Sequence, residues 1–459
     1  MIDLKCMKSV HFIGIGGIGM SALAEILLSR GYQVSGSDMN HSSLTEHLNS
    51  IGATIYFGHT KEHIQNCDAV IYTAAISLEN PELLQAKEKG IPTYTRAQLL
   101  GALMSEYPKS IAISGTHGKT TTTSMLSLIL EDAQMDPTIL VGGNLPQING
   151  NVKIGKSPYF VTEACEYMDS FLSMKPQIEI ILNIDSDHLD YFKDIEHITK
   201  SFEQFASLVP KDGLVIAYAA NAFIHGILDN LECNLITFGF DPGYNYSADQ
   251  IRFGPSGMPT FDLYFNGNLL AEIHLSVPGE HNVANALASF ACAHQLGAPV
   301  ESIVKTLEEF TGTQRRFDIL GITKNQVRVV DDYAHHPTEI EATLNAASNI
   351  PHNRLWCLFQ PHTYTRTLAL FDEFSCSFSK ADVIILADIY AAREKNIYKI
   401  SSQHLAESIK AQYPEKVVLY FPSFEEIANY VNKNAEPLDL VLTMGAGDIY
   451  KVAELLIQE

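Results

Sequence analysis

The stretch Ile111-Ala-Ile-Ser-Gly-Thr-His-Gly-Lys-Thr-Thr-Thr-Thr-Ser124 narrows what this chain can fold into more than any other. Ile111, Ala112 and Ile113 read as the end of a short buried strand, residues 114–118 as a turn of small side chains, and Thr120 onward as a helix. A strand, a glycine turn and a helix start leave several backbone N–H groups facing a prospective anion. Lys119 adds a mobile positive charge, and Thr120 a hydroxyl where a phosphate-bound Mg²⁺ would sit. The usual phosphate loop, G-x-x-x-x-G-K-T, needs a glycine at position 113, where Ile113 stands, so this loop is shorter. A plain glycine turn with an exposed lysine would satisfy the same string. Four consecutive threonines are poor helix formers, however, and favour an ATP phosphate site over that reading.

A chain of 459 residues has room for about three domains. With 46% hydrophobic and 18% charged residues it can build ordinary globular cores. A net charge of −22 argues against nucleic acid or an anionic membrane as partner, while a basic pocket for one nucleotide stays compatible. No apolar run reaches the length of a membrane span, and the N-terminus lacks the charged start and apolar run of a signal peptide. The seven cysteines include no C-x-x-C pair. A cytoplasmic protein without membrane insertion is therefore expected, its cysteines serving as buried apolar fillers.

Upstream, residues 10–13 read as a buried strand running into Gly14-x-Gly16-x-x-Gly19, then an apolar helix over 22–28 and a strand over 32–36 that ends at Ser37-Asp38. This is a dinucleotide-type fingerprint in its strand–turn–helix context, with Asp38 about where a Rossmann unit places its ribose-binding acid. The fingerprint does not say which nucleotide. Further strands are expected over 54–59, 69–75 and 91–95 and a helix over 98–104, so the first domain should close near residue 107.

Downstream of the phosphate loop, residues 141–144 read as a glycine turn. A strand from 159 delivers Glu163, Glu166 and Asp169, and an apolar strand over 178–184 ends in Asn183-Ile-Asp-Ser-Asp-His-Leu-Asp190. Acids at successive strand ends fit the ligand edge of an open α/β sheet, where Glu163 and the Asp185, Asp187 and His188 cluster could complete a Mg²⁺ shell. The alternative is a turn whose acids cap the next helix. Residues 213–276 suggest a small antiparallel layer beside the ATPase sheet, with a hairpin at Asn266-Gly267. Asn282 and Asn285 lie on one helix face with His281 at its entry. After a junction at 312–318, four strands with polar C-terminal ends describe a third α/β domain.

Taken in order, GIGGIGMS, GTHGKT, TEACEY, NIDSDHLD, GEHNVANA, RRF, DDYAHHPTE, FQPHTYTRT and MGAGDI resemble the Mur ligase family, and the likeness runs end to end. The resemblance implies three domains: residues 1–107, Rossmann-like and UDP-sugar-binding; 108–312, a central phosphate-loop ATPase; and 313–459, Rossmann-like, binding the amino acid and closing the site. It implies ATP-dependent joining of L-alanine to the carboxylate of UDP-N-acetylmuramate through an acyl phosphate, in peptidoglycan precursor synthesis. The alternative within the family is a ligase that attaches a recycled tripeptide to the same sugar nucleotide. A monomer or homodimer is expected.

By the same likeness, Gly14, Gly16, Gly17, Gly19, Met20, Ser37, Asp38, His59 and Thr73 would hold the UDP-sugar. ATP would meet Gly115, Thr116, His117, Gly118, Lys119, Thr120, Thr121, His281, Asn282, Asn285, Arg316 and Asp332. Thr120, Glu163 and His188 would take Mg²⁺, and Tyr333, His335, His362, Arg366 and Arg393 would line the amino-acid edge. Lys119, Glu163, His188, Arg316 and His335 are the expected catalytic set, with His188 and His335 as candidate bases for the alanine ammonium. The third domain is expected to close over the site, with facing acidic edges favouring the open form until ligands bind.

Overall fold

A computed structural model describes residues 2–73 and 76–458. The described residues form three sheets. The first is wholly parallel, in the order Thr54–Phe57, Gln33–Asp38, Ser9–Ile13, Ala69–Tyr72, Thr93–Thr95. The strand expected over 69–75 is a strand to Tyr72, and Ala74 and Ala75 lie outside the described residues. Helices cover the sheet, and their starts are written locally. Ser42 with Thr45, and Thr95 with Gln98, form capping boxes, and Asn80 caps a helix that begins at Pro81.

The central sheet has ten strands. Lys109–Ser114 lies between Tyr159–Glu163 and Ile178–Ile181, all parallel and almost wholly buried, as a sheet covered on both faces requires. Two sequence expectations are corrected here. Gly142 and Gly143 are not a turn; they lie inside the strand Thr138–Leu145, whose pairing register shifts between Leu140 and Leu145. Nor is the antiparallel part a separate layer: Tyr246–Phe253, Pro259–Phe265 and Asn268–His274 continue the same sheet edge through Asn234–Gly239. Asn266 (φ 48°) and Gly267 (φ 76°) make the expected two-residue hairpin turn, both left-handed as such a turn demands.

The third sheet has six strands, parallel except for the edge strand Asp318–Ile322. Its inner strands, Arg328–Asp332, Leu440–Met444, Leu355–Phe359 and Val383–Leu386, are the four expected, and Val417–Tyr420 extends the far edge. Among the cysteines only Cys292 and Cys357 are buried; Cys6 and Cys376 are exposed, so the filler role holds for a minority. No helix among the described residues is long and apolar enough to cross a membrane.

Candidate active site

The phosphate loop owes its shape to two glycines. Gly115 (φ +138°) and Gly118 (φ +84°) take left-handed backbone, and a Cβ on Gly118 would stand 2.6 Å from Asn285 Oδ1. The threonine run then has a packing reason. Thr120, Thr122, Thr123 and Ser124 are buried where the helix Lys119–Asp132 meets the helix Glu280–Gln295. Thr122 Oγ1 donates to Asn285 Oδ1 (3.2 Å), Asn285 donates to Asn282 Oδ1 (3.0 Å), and Thr313 Oγ1 donates to Ser124 Oγ (3.0 Å). Small hydroxyl side chains let the helices approach closely, and these bonds satisfy Thr122 and Ser124, whereas the buried Thr123 Oγ1 has no hydrogen-bond partner.

Lys119 is turned back across its own loop. Its Nζ donates to the carbonyls of Gly115 and Thr116 and to Glu166 Oε2 (2.8 Å). Burial opposes its charge, but the Glu166 carboxylate more than offsets this and raises its pKa. Glu166, itself buried, holds the place beside Lys119 that an incoming anion would take, and no site role had been expected for it. Glu163 Oε2 accepts from Thr120 Oγ1 (3.1 Å), and its other oxygen accepts from the Gly142 N–H. Gly142 is bare because a Cβ there would stand 2.7 Å from Glu163 Oε2. A hydroxyl and a carboxylate side by side at a helix start are the hard oxygen donors that Mg²⁺ prefers, so Thr120 and Glu163 fit that ion. His188 (φ 54°) faces other acids: its Nε2 is 3.8 Å from both Glu166 Oε1 and Asp187 Oδ2.

The other two acids expected as metal ligands are already engaged. Asp185 accepts from Thr338 Oγ1 (2.7 Å) and pairs with His117 Nε2 (3.2 Å), partners that hold its pKa far down. Asp187 is buried, which opposes its charge, yet Arg366 Nε (3.0 Å) and Nη2 (2.9 Å) grip it and keep it ionised. His117 completes the bridge, its Nδ1 lying 3.3 Å from Glu339 Oε1. Burial pulls its pKa down, but Asp185 and Glu339 overcome that and raise it to about 9. His336 Nε2 donates to the Ser186 carbonyl (2.8 Å). The central and third sheets thus meet through opposite charges, which corrects the expectation of two mutually repelling acidic edges.

Three cavities surround this centre. One, of about 590 Å³, is lined by His117, Gly118, Thr121, His281, Asn282, Asn285, Arg316 and Asp332, which is most of the expected ATP set. Tyr218, Phe238 and Phe240 add an aromatic wall that the sequence analysis did not single out. Burial pushes Asp332 up to about 6 and His281 down to about 4. The second cavity, about 330 Å³, runs from Gly17, Gly19, Met20 and Thr73 to Glu163, between the first and central sheets. The third, about 960 Å³, is lined by Asp187, His188, His362, Arg366 and Arg393 among others.

Several expected residues stand elsewhere. Asp38 shapes the glycine turn: its Oδ2 accepts from Gly16 N–H (2.9 Å) and its Oδ1 from Asn40 N–H (3.1 Å). Ser37 and His59 join a buried network around Glu82, with Ser37 Oγ 2.5 Å from Glu82 Oε2 and His59 Nδ1 3.3 Å away. Tyr333 lies under the paired arginines, its ring 5.1 Å from Arg315 and 5.0 Å from Arg316, and lines none of the three cavities. His335 likewise lines none of them, and burial lowers its pKa to about 3, too weak a base for an ammonium proton near neutrality. Of the two arginines, Arg315 is structural, gripping Asp331 (2.9 Å) and the Gly445 carbonyl (2.8 Å), and leaves Arg316 to face the cavity.

A phosphate loop between two Rossmann-like sheets, with cavities on both sides of it, defines a nucleotide-dependent enzyme of three α/β domains. Residues 9–108 match the catalytic domain of the Mur ligase family, 113–293 the Mur ligase middle domain, and 315–447 the Mur ligase glutamate ligase domain. The chain belongs to the Mur ligase family. The UDP-N-acetylmuramate–L-alanine ligase of Alkaliphilus metalliredigens is 51% identical over 458 residues, covering 100% of this chain and 99% of that one. The protein of the same name from Clostridium tetani is 53% identical over 455 residues, 99% of each chain. Among solved structures, the UDP-N-acetylmuramate–alanine ligase of Thermotoga maritima superposes with a TM-score of 0.82 at 29% identity, over 98% of each chain. The murein peptide ligase of Psychrobacter arcticus gives 0.73 at 27% identity, also over 98% of each.

Proposed function

We propose that this chain joins L-alanine to the carboxylate of UDP-N-acetylmuramate with hydrolysis of ATP to ADP, as a step of peptidoglycan precursor synthesis. The observation that carries this reading is identity of 51% and 53%, over essentially full length, to two relatives that bear that activity's name. The cavities support it. UDP-sugar would enter the 330 Å³ cavity at Gly17–Met20 and extend its carboxylate toward Glu163. ATP would occupy the 590 Å³ cavity, with its phosphates at Gly115–Thr121. The amino acid would approach from the 960 Å³ cavity past His188, His362, Arg366 and Arg393. Residues 1–107, 108–312 and 313–459 then serve as sugar-nucleotide, ATP and closing domains.

The chemistry asks for these groups. A carboxylate is a poor acylating agent until phosphorylated, and two anions must be brought together to phosphorylate it. Lys119, once drawn from Glu166 to phosphate, and Arg316 would offset charge on the transferring group. Thr120 and Glu163 would hold Mg²⁺, which when bound supplies further charge neutralisation. The Arg366–Asp187 pair would hold the third domain down, so that water is kept from the activated carboxylate. His188, in the amino-acid cavity beside Glu166, is the better placed of the two candidate bases.

A cavity of 960 Å³ is far larger than alanine needs, so its size does not exclude a peptide acceptor. ADP release with UDP-N-acetylmuramate and Mg²⁺ decides this, offered alanine, glycine, serine or the tripeptide. Alanine should give the highest kcat/KM; turnover with tripeptide alone would transfer the chain to the recycling activity.

A further inference from the structure

Among the described residues, one set of three metal-ligating side chains has ligand atoms that all lie within 4.8 Å of one another: His117, Asp185 and His336. They come from separate segments. His117 belongs to the phosphate loop, Asp185 follows the strand Ile178–Ile181, and His336 caps the helix Pro337–Ser348 of the third domain. Asp185 Oδ2 lies near both rings, 3.2 Å from His117 Nε2 and 3.9 Å from His336 Nδ1. Two ligands on one tetrahedral zinc ion stand about 3.3 Å apart, because each bond to the metal is about 2.0–2.1 Å long. The two spacings from Asp185 are close to what such an ion imposes.

Each of the three side chains is also oriented from behind. His117 turns its other nitrogen, Nδ1, to Glu339 Oε1 (3.3 Å), and His336 donates from Nε2 to the Ser186 carbonyl (2.8 Å). Asp185 accepts from Thr338 Oγ1 (2.7 Å) and, on its other oxygen, from the Ser186 N–H (2.7 Å). An imidazole whose far nitrogen donates to a carboxylate or carbonyl offers the lone pair of its near nitrogen, as metal-binding histidines do. At His336 that lone pair takes only a long cap bond from the Thr338 N–H (3.3 Å), a weak competitor for an ion. The same contacts draw Asp185 away from the Mg²⁺ that Thr120 and Glu163 would hold and group it with two nitrogens. Imidazole nitrogens suit zinc and its neighbours, whereas Mg²⁺ keeps to oxygen.

We propose that His117, Asp185 and His336 bind a divalent transition metal such as Zn²⁺, at a site separate from that of the Mg²⁺ carried by ATP. The ion would take the place of the hydrogen-bonded proton between His117 and Asp185. His117 and Asp185 line the 590 Å³ cavity, so the fourth coordination position opens onto it. Two ligands belong to the central domain and one to the third. A bound ion would therefore staple this seam with coordinate bonds and slow its opening.

The test titrates Zn²⁺ calorimetrically into untagged full-length protein without nucleotide, in excess Mg²⁺ to fill the oxygen sites. One ion should bind per chain, and Co²⁺ in its place should give the visible absorption of a tetrahedral site without the near-ultraviolet band of a thiolate ligand. His117→Asn, Asp185→Asn and His336→Asn should each weaken Zn²⁺ by at least ~10-fold, since even an outer partner of a metal ligand is worth that much. Asparagine at 336 keeps a side-chain acceptor for the helix start. The three substitutions lie on separate segments, and metal-free melting temperatures show which variants are folded, so one failure leaves the others to decide. His188→Ala and the double variant Cys6→Ser, Cys376→Ser should bind Zn²⁺ as wild type does. Absence of Zn²⁺ binding by wild type would overturn the site, as would full affinity in the folded asparagine variants. Loss in His188→Ala or in the cysteine variant instead would place the ion elsewhere and overturn it equally.

Discussion

The molecule has two seams, and they are built from opposite materials. Between the first and central sheets, one continuous apolar core runs across the boundary: Leu99, Leu103 and Met104 pack in the same cluster as Phe160, Phe171 and Met174. Gly101 sits so tightly there that a Cβ would run into the Ser173 carbonyl. Between the central and third sheets the apolar cores stay separate, with Leu189 packing onto the third domain's cluster. That seam is held by Arg366–Asp187, His117–Glu339, Thr338–Asp185 and His336–Ser186. Apolar burial is insensitive to pH and to bound charge, whereas ion pairs respond to both. From this difference we propose that the third domain is the one able to move, with the first two as a single body.

Lys119→Ala removes the charge between the seams while leaving both intact. Activity should fall ~10²- to 10³-fold, the usual cost of one transition-state charge stabiliser. Because Glu166 loses its partner in the buried site, the melting temperature should fall as well. Adding Glu166→Gln should restore the melting temperature without restoring turnover; near wild-type turnover in Lys119→Ala would remove ATP from this loop.

Asp187→Ala breaks the ionic seam and strands a mostly buried guanidinium. Losing one partner of a buried pair costs about 3–5 kcal/mol. Small-angle scattering should show a larger radius of gyration and kinetics a kcat reduced ~10- to 100-fold, both partly recovered when Arg366→Ala is added. An unchanged radius would mean that other contacts hold the domain.

Gly101→Val attacks the apolar seam instead. Overpacking of this kind costs about 1–3 kcal/mol. Thermal unfolding should move down while the radius of gyration stays put, since the first two domains unfold together. A larger radius before unfolding would show that this seam opens too.

The smallest effect is graded with pH. The His117 pKa lies at about 9 with the seam closed, against 6.5 for a free histidine. Its contribution to closure is therefore complete below 6.5 and is lost as pH rises through 9. Scattering at pH 7.5 and 10 should show the third domain loosening at the higher value, with the first seam unaffected. Glu179 offers a control in the central sheet, where burial pushes its pKa up to about 8. There the folded protein keeps a proton that the unfolded chain has lost, so stability declines from about pH 4.5 to 8. Glu179→Gln should remove that slope.

Local backbone geometry was legible in the residues themselves. The strand, glycine turn and helix at 111–124, the hairpin at Asn266-Gly267, the four inner strands of the third sheet and the pairing of Asn282 with Asn285 follow from neighbours within a few positions. What failed were statements about where a side chain spends its polarity. Asp38 stands where a ribose-binding acid belongs, and the sequence did not show that it also holds a glycine N–H 22 residues away. Asp185 and Asp187 had the look of metal ligands, yet cations and a hydroxyl from residues 117, 338 and 366 hold them. Glu166 was visible as an acid but not as the partner of Lys119.

The sequence by itself thus determined three α/β layers, the phosphate loop and the family, because caps, turns and hydrophobic periodicity are set by short-range sterics. Only the tertiary structure decided which acids remain open to ligands, which histidine is too buried to act as a base, and which domain boundary is ionic. Those depend on docking between segments that are distant in the chain, from 22 residues apart for Gly16 and Asp38 to 179 for Asp187 and Arg366. There, small differences in distance choose between a bound partner and an open site.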